Sequence, residues 1–269
     1  MRRYSHVIGN LVVIALLMTC ILGSSSLAAD QDLLNKIMTR GKLVVGVSLT
    51  SPIVAFKEPD GTPAGFTVDL AKLIAKELGV KIEFQDYEWQ GLIPALLTGK
   101  VDIITAQMSA TLERATKVTF TQPWLYTGTC AVVRRDSPYK HWRDLNKSGI
   151  AIGANAGSVG AAVVKEFLPK ATLVTFPTDA DFLAALKAKR VEAVMTDQLI
   201  GVAYGKEPGL RLINKIIKPD FYAFTLRPED VHMWQWLNLF FDVIKADGRY
   251  AAIYKKWMGE DWKPEPRPW

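Results

Sequence analysis

From Leu43 onward, short apolar runs alternate with segments of helical period. Leu43-Val-Val-Gly-Val47 has the length and composition of a buried strand. Asp60-Gly61 marks a turn. Apolar residues at Phe66, Leu70, Leu73, Ile74 and Leu78 then recur at helical spacing, and Gly79 stops that helix. Residues 81–87 (KIEFQDY) alternate as a strand does. Residues 91–98 (GLIPALLT) read as a helix with Pro94 in its first turns, where its missing N–H is tolerated. Residues 101–106 (VDIITA) form the next strand, and IAIGA (150–154) leads through Asn155-Ala-Gly-Ser158 into a helix over 159–167. Strands that alternate with helices predict a mostly parallel sheet covered by helices.

A weak internal echo runs at an offset of 90 residues. ALLTGKVDIITAQ (95–107) aligns with ALKAKRVEAVMTD (185–197). In both, a helix ends at a basic residue (Lys100, Arg190), and valine, an acid and a buried strand follow. Any helix–turn–strand unit has this outline. Together with the length, the echo predicts two similar α/β lobes. In open α/β sheets, ligands sit beyond the carboxyl ends of strands. Those ends are Gln107-Met108-Ser109 in the first half and Thr196-Asp197 in the second, so facing lobes share a polar cleft.

The N-terminus is of a different kind. Arg2 and Arg3 precede an apolar run from Leu11 to Leu22, and Ser26-Leu27-Ala28 has the small-x-small form of a cleavage site. Residues 1–29 therefore read as an export signal. The apolar run falls short of the roughly 20 residues that span a bilayer. Lipidation at Cys20 fits less well, because Met18 and Thr19 are poor lipobox residues. With the leader removed only Cys130 remains, which excludes an intramolecular disulfide, and its TCAVV setting predicts a buried thiol.

Composition narrows the chemistry. The chain has 269 residues, 49% hydrophobic and 22% charged, enough for one large domain or two small ones with real cores. The formal charge of +6 includes Arg2 and Arg3, and no basic stripe suggests nucleic acid. His141 and His232 stand in unrelated contexts, and there is no H-E-x-x-H, C-x-x-C or G-x-S-x-G. GANAGSVG has neither P-loop nor dinucleotide-fingerprint spacing. No cofactor or metal is expected.

Four places carry candidate chemistry. Arg114 lies in SATLERA, where Ser109 or Thr111 can cap the following helix; a guanidinium beside free helix amides suits a carboxylate. A surface pair with Glu113 is the plainer alternative. Asp197, at the end of AVMT, can hold an ammonium or simply cap the next helix. Asn155-Ala-Gly157-Ser158 exposes amides that favour an anion, or is an ordinary strand-to-helix turn. Trp89 can reach the cleft from its loop or pack in the core.

The residues from about 40 to 260 resemble bacterial periplasmic solute-binding proteins of the polar amino-acid ABC transporter type, family 3. Five motifs in order carry the resemblance. They are Gly65-Phe66-Thr67-Val68-Asp69-Leu70, Trp89-Gln-Gly-Leu-Ile-Pro-Ala-Leu96 with Gly99-Lys-Val-Asp102, Met108-Ser-Ala-Thr-Leu-Glu-Arg114, Phe120-Thr-Gln-Pro-Trp124, and Asp247-Gly-Arg-Tyr-Ala-Ala-Ile-Tyr-Lys-Lys-Trp257. The resemblance implies an α/β, type II two-lobed fold, each lobe a mostly parallel sheet flanked by helices. It places lobe 1 at 31–124 plus 222–269 and lobe 2 at 129–217, joined by two crossover strands. It implies that Arg114 grips an α-carboxylate with help from Ser109, and that the backbone at Gln107 and the acid Asp197 hold the ammonium. Gly157 and Ser158 close on the carboxylate, and Trp89 covers the side chain; Asn155, Thr196 and Ser48 complete the expected set.

Departures from the family pattern bear on the ligand. Binders of basic amino acids usually carry an acid near the position of Ser48, and Thr67 also replaces an acid. Ser51-Pro-Ile-Val-Ala-Phe56 lacks the usual aromatic-Pro-Pro-Phe form. These features predict a neutral or apolar amino acid. The expected protein is a monomeric periplasmic receptor that closes on its ligand and presents it to an ABC permease. The same scaffold resembles cyclohexadienyl dehydratases, but Gln198-Leu-Ile-Gly201 lacks the glutamate such enzymes carry. A third reading is an accessory protein, with the Pro-rich tail 261–269 as a docking segment or an unstructured end.

Overall fold

The structure, a computed structural model, describes residues 32–264. The expected export signal, Cys20 and residues 265–269 of the tail lie outside it. Helix α1 (Leu33–Arg40) leads into β1 (Lys42–Val47). A small antiparallel ribbon follows, built from β2 (Thr50–Ser51), β3 (Ala55–Lys57) and β4 (Pro63–Ala64). Next come α2 (Phe66–Glu77), β5 (Lys81–Asp86), α3 (Leu92–Leu97), β6 (Ile103–Ile104), the short α4 (Leu112–Ala115) and β7 (Thr119–Phe120). Then β8 (Leu125–Arg134) opens a second sheet, with β9 (Ala151–Asn155), α5 (Val159–Phe167), β10 (Thr172–Phe176), α6 (Asp179–Lys187), β11 (Ala193–Asp197), α7 (Gln198–Gly205) and β12 (Leu210–Tyr222). The chain returns through β13 (Thr225–Leu226), α8 (Val231–Ala246) and α9 (Arg249–Met258).

The sheets have matching orders, β5-β1-β6-β13-β7 and β10-β9-β11-β8-β12. In the first, β5, β1 and β6 are parallel and only β13 is reversed; in the second, only β8 is reversed. Four strands of five in each sheet therefore run one way, as the strand–helix rhythm predicts. The long strands β8 and β12 pair from Leu125–Tyr222 to Arg134–Leu210, with a register break between Ile213 and Lys218.

The sequence echo is a structural repeat. Strands β6 and β11 occupy the same central place, and the turns before them match bond for bond. Gly99 N–H donates to Leu96 O at 3.0 Å and Lys100 N–H to Ala95 O at 3.0 Å. The counterparts are Lys189 to Leu186 O at 3.2 Å and Arg190 to Ala185 O at 2.9 Å. Each turn is also clasped by an arginine at the end of the reversed strand. Arg227 Nη1 donates to Leu96 O and Val101 O, both at 3.0 Å. Arg134 Nη1 donates to Leu186 O at 3.3 Å and Val191 O at 2.8 Å.

Two sequence motifs prove to be one contact. Gly65 has φ 127°, and a Cβ there would collide with the Val54 carbonyl, so only glycine brings the chain this close and turns Phe66 into the core. Four residues on, Asp69 accepts from Trp257 Nε1 at 2.8 Å and Lys256 Nζ at 2.6 Å. The start of α2 is thus tied to the end of α9. Phe66 also meets Trp124 (5.2 Å between ring centroids) and Tyr250 (5.7 Å). A second core, with Val133, Ile152, Val163 and Met195, lies on the second sheet. Cys130 is buried, as its apolar context predicts. Among the described residues no helix is long and apolar enough to cross a membrane.

The repeat differs in one respect: the left-handed position after the helix holds Gly99 (φ 72°) in one copy and Lys189 (φ 60°) in the other. A side chain in that conformation is strained. Lys189→Gly should therefore raise stability by about 0.5–1 kcal/mol and Gly99→Ala should lower it by about 1 kcal/mol, read as opposite shifts of the urea midpoint.

Candidate functional site

The carboxyl ends of the central strands converge on one cavity of about 60 Å³. From the first sheet's side come Trp89, Gln107 and Ser109. From the second come Asn155, Ser158, Asp179, Thr196 and Asp197. Thr129, Asp220 and Tyr222 enter from β8 and β12. Seven of the sequence-predicted residues (Trp89, Gln107, Ser109, Asn155, Ser158, Thr196 and Asp197) therefore line one space.

Arg114 stands at its edge. Thr111 caps α4, its hydroxyl accepting from Arg114 N–H at 3.2 Å. The guanidinium donates to Ser109 O at 2.9 Å and, from the other sheet's side, to Gly157 O at 3.1 Å. It also lies 5.5 Å from the centre of the Trp89 ring, a cation–π contact. Burial pulls its pKa below the ordinary arginine value, and the charge of Asp220 opposes that. Asp220 in turn accepts from Ser109 Oγ and from its neighbour's amide, Phe221 N–H, at 2.7 Å.

On the opposite wall, three helices begin at the cavity. Ser158 caps α5, accepting from Ala161 N–H at 3.1 Å, and Asp197 caps α7, accepting from Ile200 N–H at 3.0 Å. Asp179 is the first residue of α6. The capping and cleft readings of Asp197 are therefore compatible: one oxygen serves the helix while the carboxylate still faces the cavity. Its pKa is raised to about 6: burial pushes it up and the charge of Asp179 adds to the rise, while the Ile200 amide and the Tyr222 hydroxyl pull it down. Burial likewise raises Asp179 and Asp220. Among the described residues no cluster of His, Cys, Asp and Glu is arranged to hold a metal.

Residues 43–260 match the family described as bacterial extracellular solute-binding proteins, family 3. The chain belongs to this family. The ABC transporter glutamine-binding protein GlnH of Bacillus subtilis (strain 168) is 30% identical over 244 residues, covering 89% of each chain. The crystal structure of the ancestral amino acid-binding protein AncCDT-1, a precursor of cyclohexadienyl dehydratase, superposes with TM-score 0.80 at 36% identity, covering 83% of this chain and 98% of that one. An ancestral arginine-binding protein bound to arginine superposes with TM-score 0.77 at 34% identity, covering 82% and 99%. These structures share the type II two-lobed fold. Family 3 is a family of binding proteins, and the relative nearest in theme to the dehydratases is itself an amino acid-binding protein.

Within this family member, two sequence expectations shift. Ser48 is buried at the end of β1 with its hydroxyl 3.4 Å from that of Thr50, outside the cavity lining. Thr67 is fully buried in α2, its hydroxyl donating to Val54 O at 3.2 Å. The acid it replaces in the family pattern would not face the ligand, so its loss says nothing about the solute. Gly157 sits behind Ser158, its carbonyl turned to Arg114.

Sequence reasoning missed Asp179, Asp220, Tyr222, Thr129 and Ser51. Asp220 falls in the short stretch between the two expected lobes, where a crossover strand is expected; the strand is there, and its Asp220 side chain lines the cavity. Asp179 reads in sequence as a first-turn helix acid, which it is; its approach to the cavity depends on tertiary packing. Ser51 sits in β2, and its hydroxyl donates to Asp179 at 3.2 Å.

Asp197 titrates near 6 when folded and near 3.8 in the unfolded chain. Between those values the native state binds more protons, so its contribution to stability falls as pH rises from about 4 to 6 and is constant above. Asp197→Asn, which caps equally well, should remove that decline. The difference in unfolding free energy between wild type and variant should change by up to about 3 kcal/mol across the window, at 1.36 kcal/mol per pH unit.

Proposed function

We propose that this protein is an extracytoplasmic receptor that holds a free amino acid in the cavity and delivers it to an ABC permease. The observation that carries the reading is a cation, Arg114, at the edge of a small cavity beside Ser109 and Trp89, and an anion, Asp197, in its wall. A zwitterion presents those two charges in reverse. Arg114 takes the carboxylate, with the Ser109 and Ser158 regions supplying donors. Asp197 takes the ammonium, and Trp89 covers the side chain. No cofactor takes part.

Residues 31–124 with 222–269 act as one lobe and 129–217 as the other, with the bend in the crossover strands β8 and β12. Ligand favours closure because only the closed form offers contacts from both sides. The leader 1–29 directs the chain to the periplasm, where the mature protein works as a monomer. Relatives named for glutamine and for arginine support an amino acid as the solute class. The neutral side chain expected from sequence now rests on Ser48 and the 51–56 stretch.

Arg114→Ala should weaken binding of the cognate amino acid by at least about 100-fold by titration calorimetry, because a buried carboxylate loses its charged partner. A full-strength isotherm would remove the assigned role. An ammonium needs Asp197 ionised, so affinity should fall about tenfold per pH unit below about 6 and be flat above it. Asp197→Asn should bind weakly at every pH.

A further inference from the structure

Asp179 is only 4% exposed, yet it lines the cavity. Three side chains form a directed chain around it. Gln107 Nε2 donates to Ser51 Oγ at 2.5 Å, Ser51 Oγ donates to Asp179 Oδ2 at 3.2 Å, and Asn155 Nδ2 donates to Asp179 Oδ1. Each amide thus spends its N–H side on this group. The carbonyl oxygens Gln107 Oε1 and Asn155 Oδ1 are left buried with no partner among the described residues. Native proteins rarely leave such atoms unpaired.

The wall is therefore rich in acceptors and holds no cation. Asp179, Asp197 and Asp220 line it, and no lysine or arginine does. Arg114 at the edge is coupled to Asp220. A zwitterion adds no net charge: its ammonium answers Asp197 and its carboxylate occupies Arg114. Asp179 then has only neutral donors, although its place at the start of α6 favours a carboxylate. Phe182, Met195 and Val159 give the same cavity apolar wall, which suits a methylene stem ending in a charged head.

We infer that Asp179, with the amide oxygens of Gln107 and Asn155, forms a subsite for a cationic side-chain head, so that the solute is an amino acid ending in an ammonium or guanidinium. The inference rests on the amino-acid receptor reading and replaces the neutral side chain expected from sequence.

The test compares matched ligands by calorimetry on the mature protein: arginine against its neutral isostere citrulline, and lysine against norleucine. In the wild type the cation should bind about 100-fold tighter or more, since citrulline's neutral ureido leaves the Asp179 charge unanswered and norleucine has no donor for the buried acceptors. In Asp179→Asn the ratio should fall below about 5-fold, the cation losing far more affinity than citrulline, the mark of a specificity residue and not a folding defect. A wild-type ratio near one overturns the inference without any variant, and so does an undiminished ratio in Asp179→Asn. If neutral amino acids bind tightly and Arg114→Ala abolishes that binding, the receptor reading stands and this subsite falls. If no amino acid binds, both fall.

Discussion

Three carboxylates gathered around one small cavity govern this site. Taking a charge out of water is costly unless a partner replaces the water. Asp179, Asp197 and Asp220 all respond with raised pKa values. The fold offsets part of the cost locally. Asp197 and Asp179 sit at the starts of α7 and α6, where backbone dipoles favour negative charge, and Ser109 with Arg114 attends Asp220. The offset is incomplete, and the remainder is what a cationic group from outside can relieve.

The arrangement follows from a duplicated architecture. Each sheet places a short central strand, β6 or β11, between a parallel neighbour and a reversed strand. Each clasps the preceding turn with an arginine, Arg227 or Arg134, bonded to equivalent carbonyls. These clasps lie at the ends of the central strands away from the cavity and leave the carboxyl ends free. Only the segments 121–124 and 223–224 connect the two sheets through the chain, and they meet as Trp124 N–H donates to Tyr222 O at 2.9 Å. On the proposed two-lobed reading, this arrangement suits a ligand gripped from both sides.

Much of this was legible in sequence because it depends on local pattern. Strand and helix periods and a cap at Ser109 or Thr111 follow from their immediate neighbours, whereas Gly65 entered only through the family motif, because its constraint comes from the Val54 carbonyl. Arg114 and Asp197 were legible because both stand just past apolar strands, where open α/β sheets bind ligands. What was missed depends on contacts between residues far apart in sequence. Ser51 reaches Asp179 over 128 residues, and Ser109 reaches Asp220 over 111. Nothing near Ser51 or Asp220 distinguishes either from an ordinary loop or linker residue. Thr67 shows the converse error: a position read as informative about the solute lies in the core, and its partner is a backbone carbonyl.

On the proposed receptor reading, the contacts that cross between the sheets also link closure to binding. Arg114 holds Ser109 O with one amino group and Gly157 O with the other. A guanidinium has five N–H donors in a fixed fork, so donors remain for a ligand carboxylate while the two sides are bridged. Ser51 bridges them again through Asp179. On the proposed reading, a ligand that engages Arg114 and Asp179 is held by residues that already bridge the two sides. Its affinity for the closed arrangement exceeds its affinity for an open one by the contacts that opening would break. Selectivity and closure thus draw on the same side chains, and a solute that leaves Asp179 unpaired should both bind less tightly and close the protein less completely.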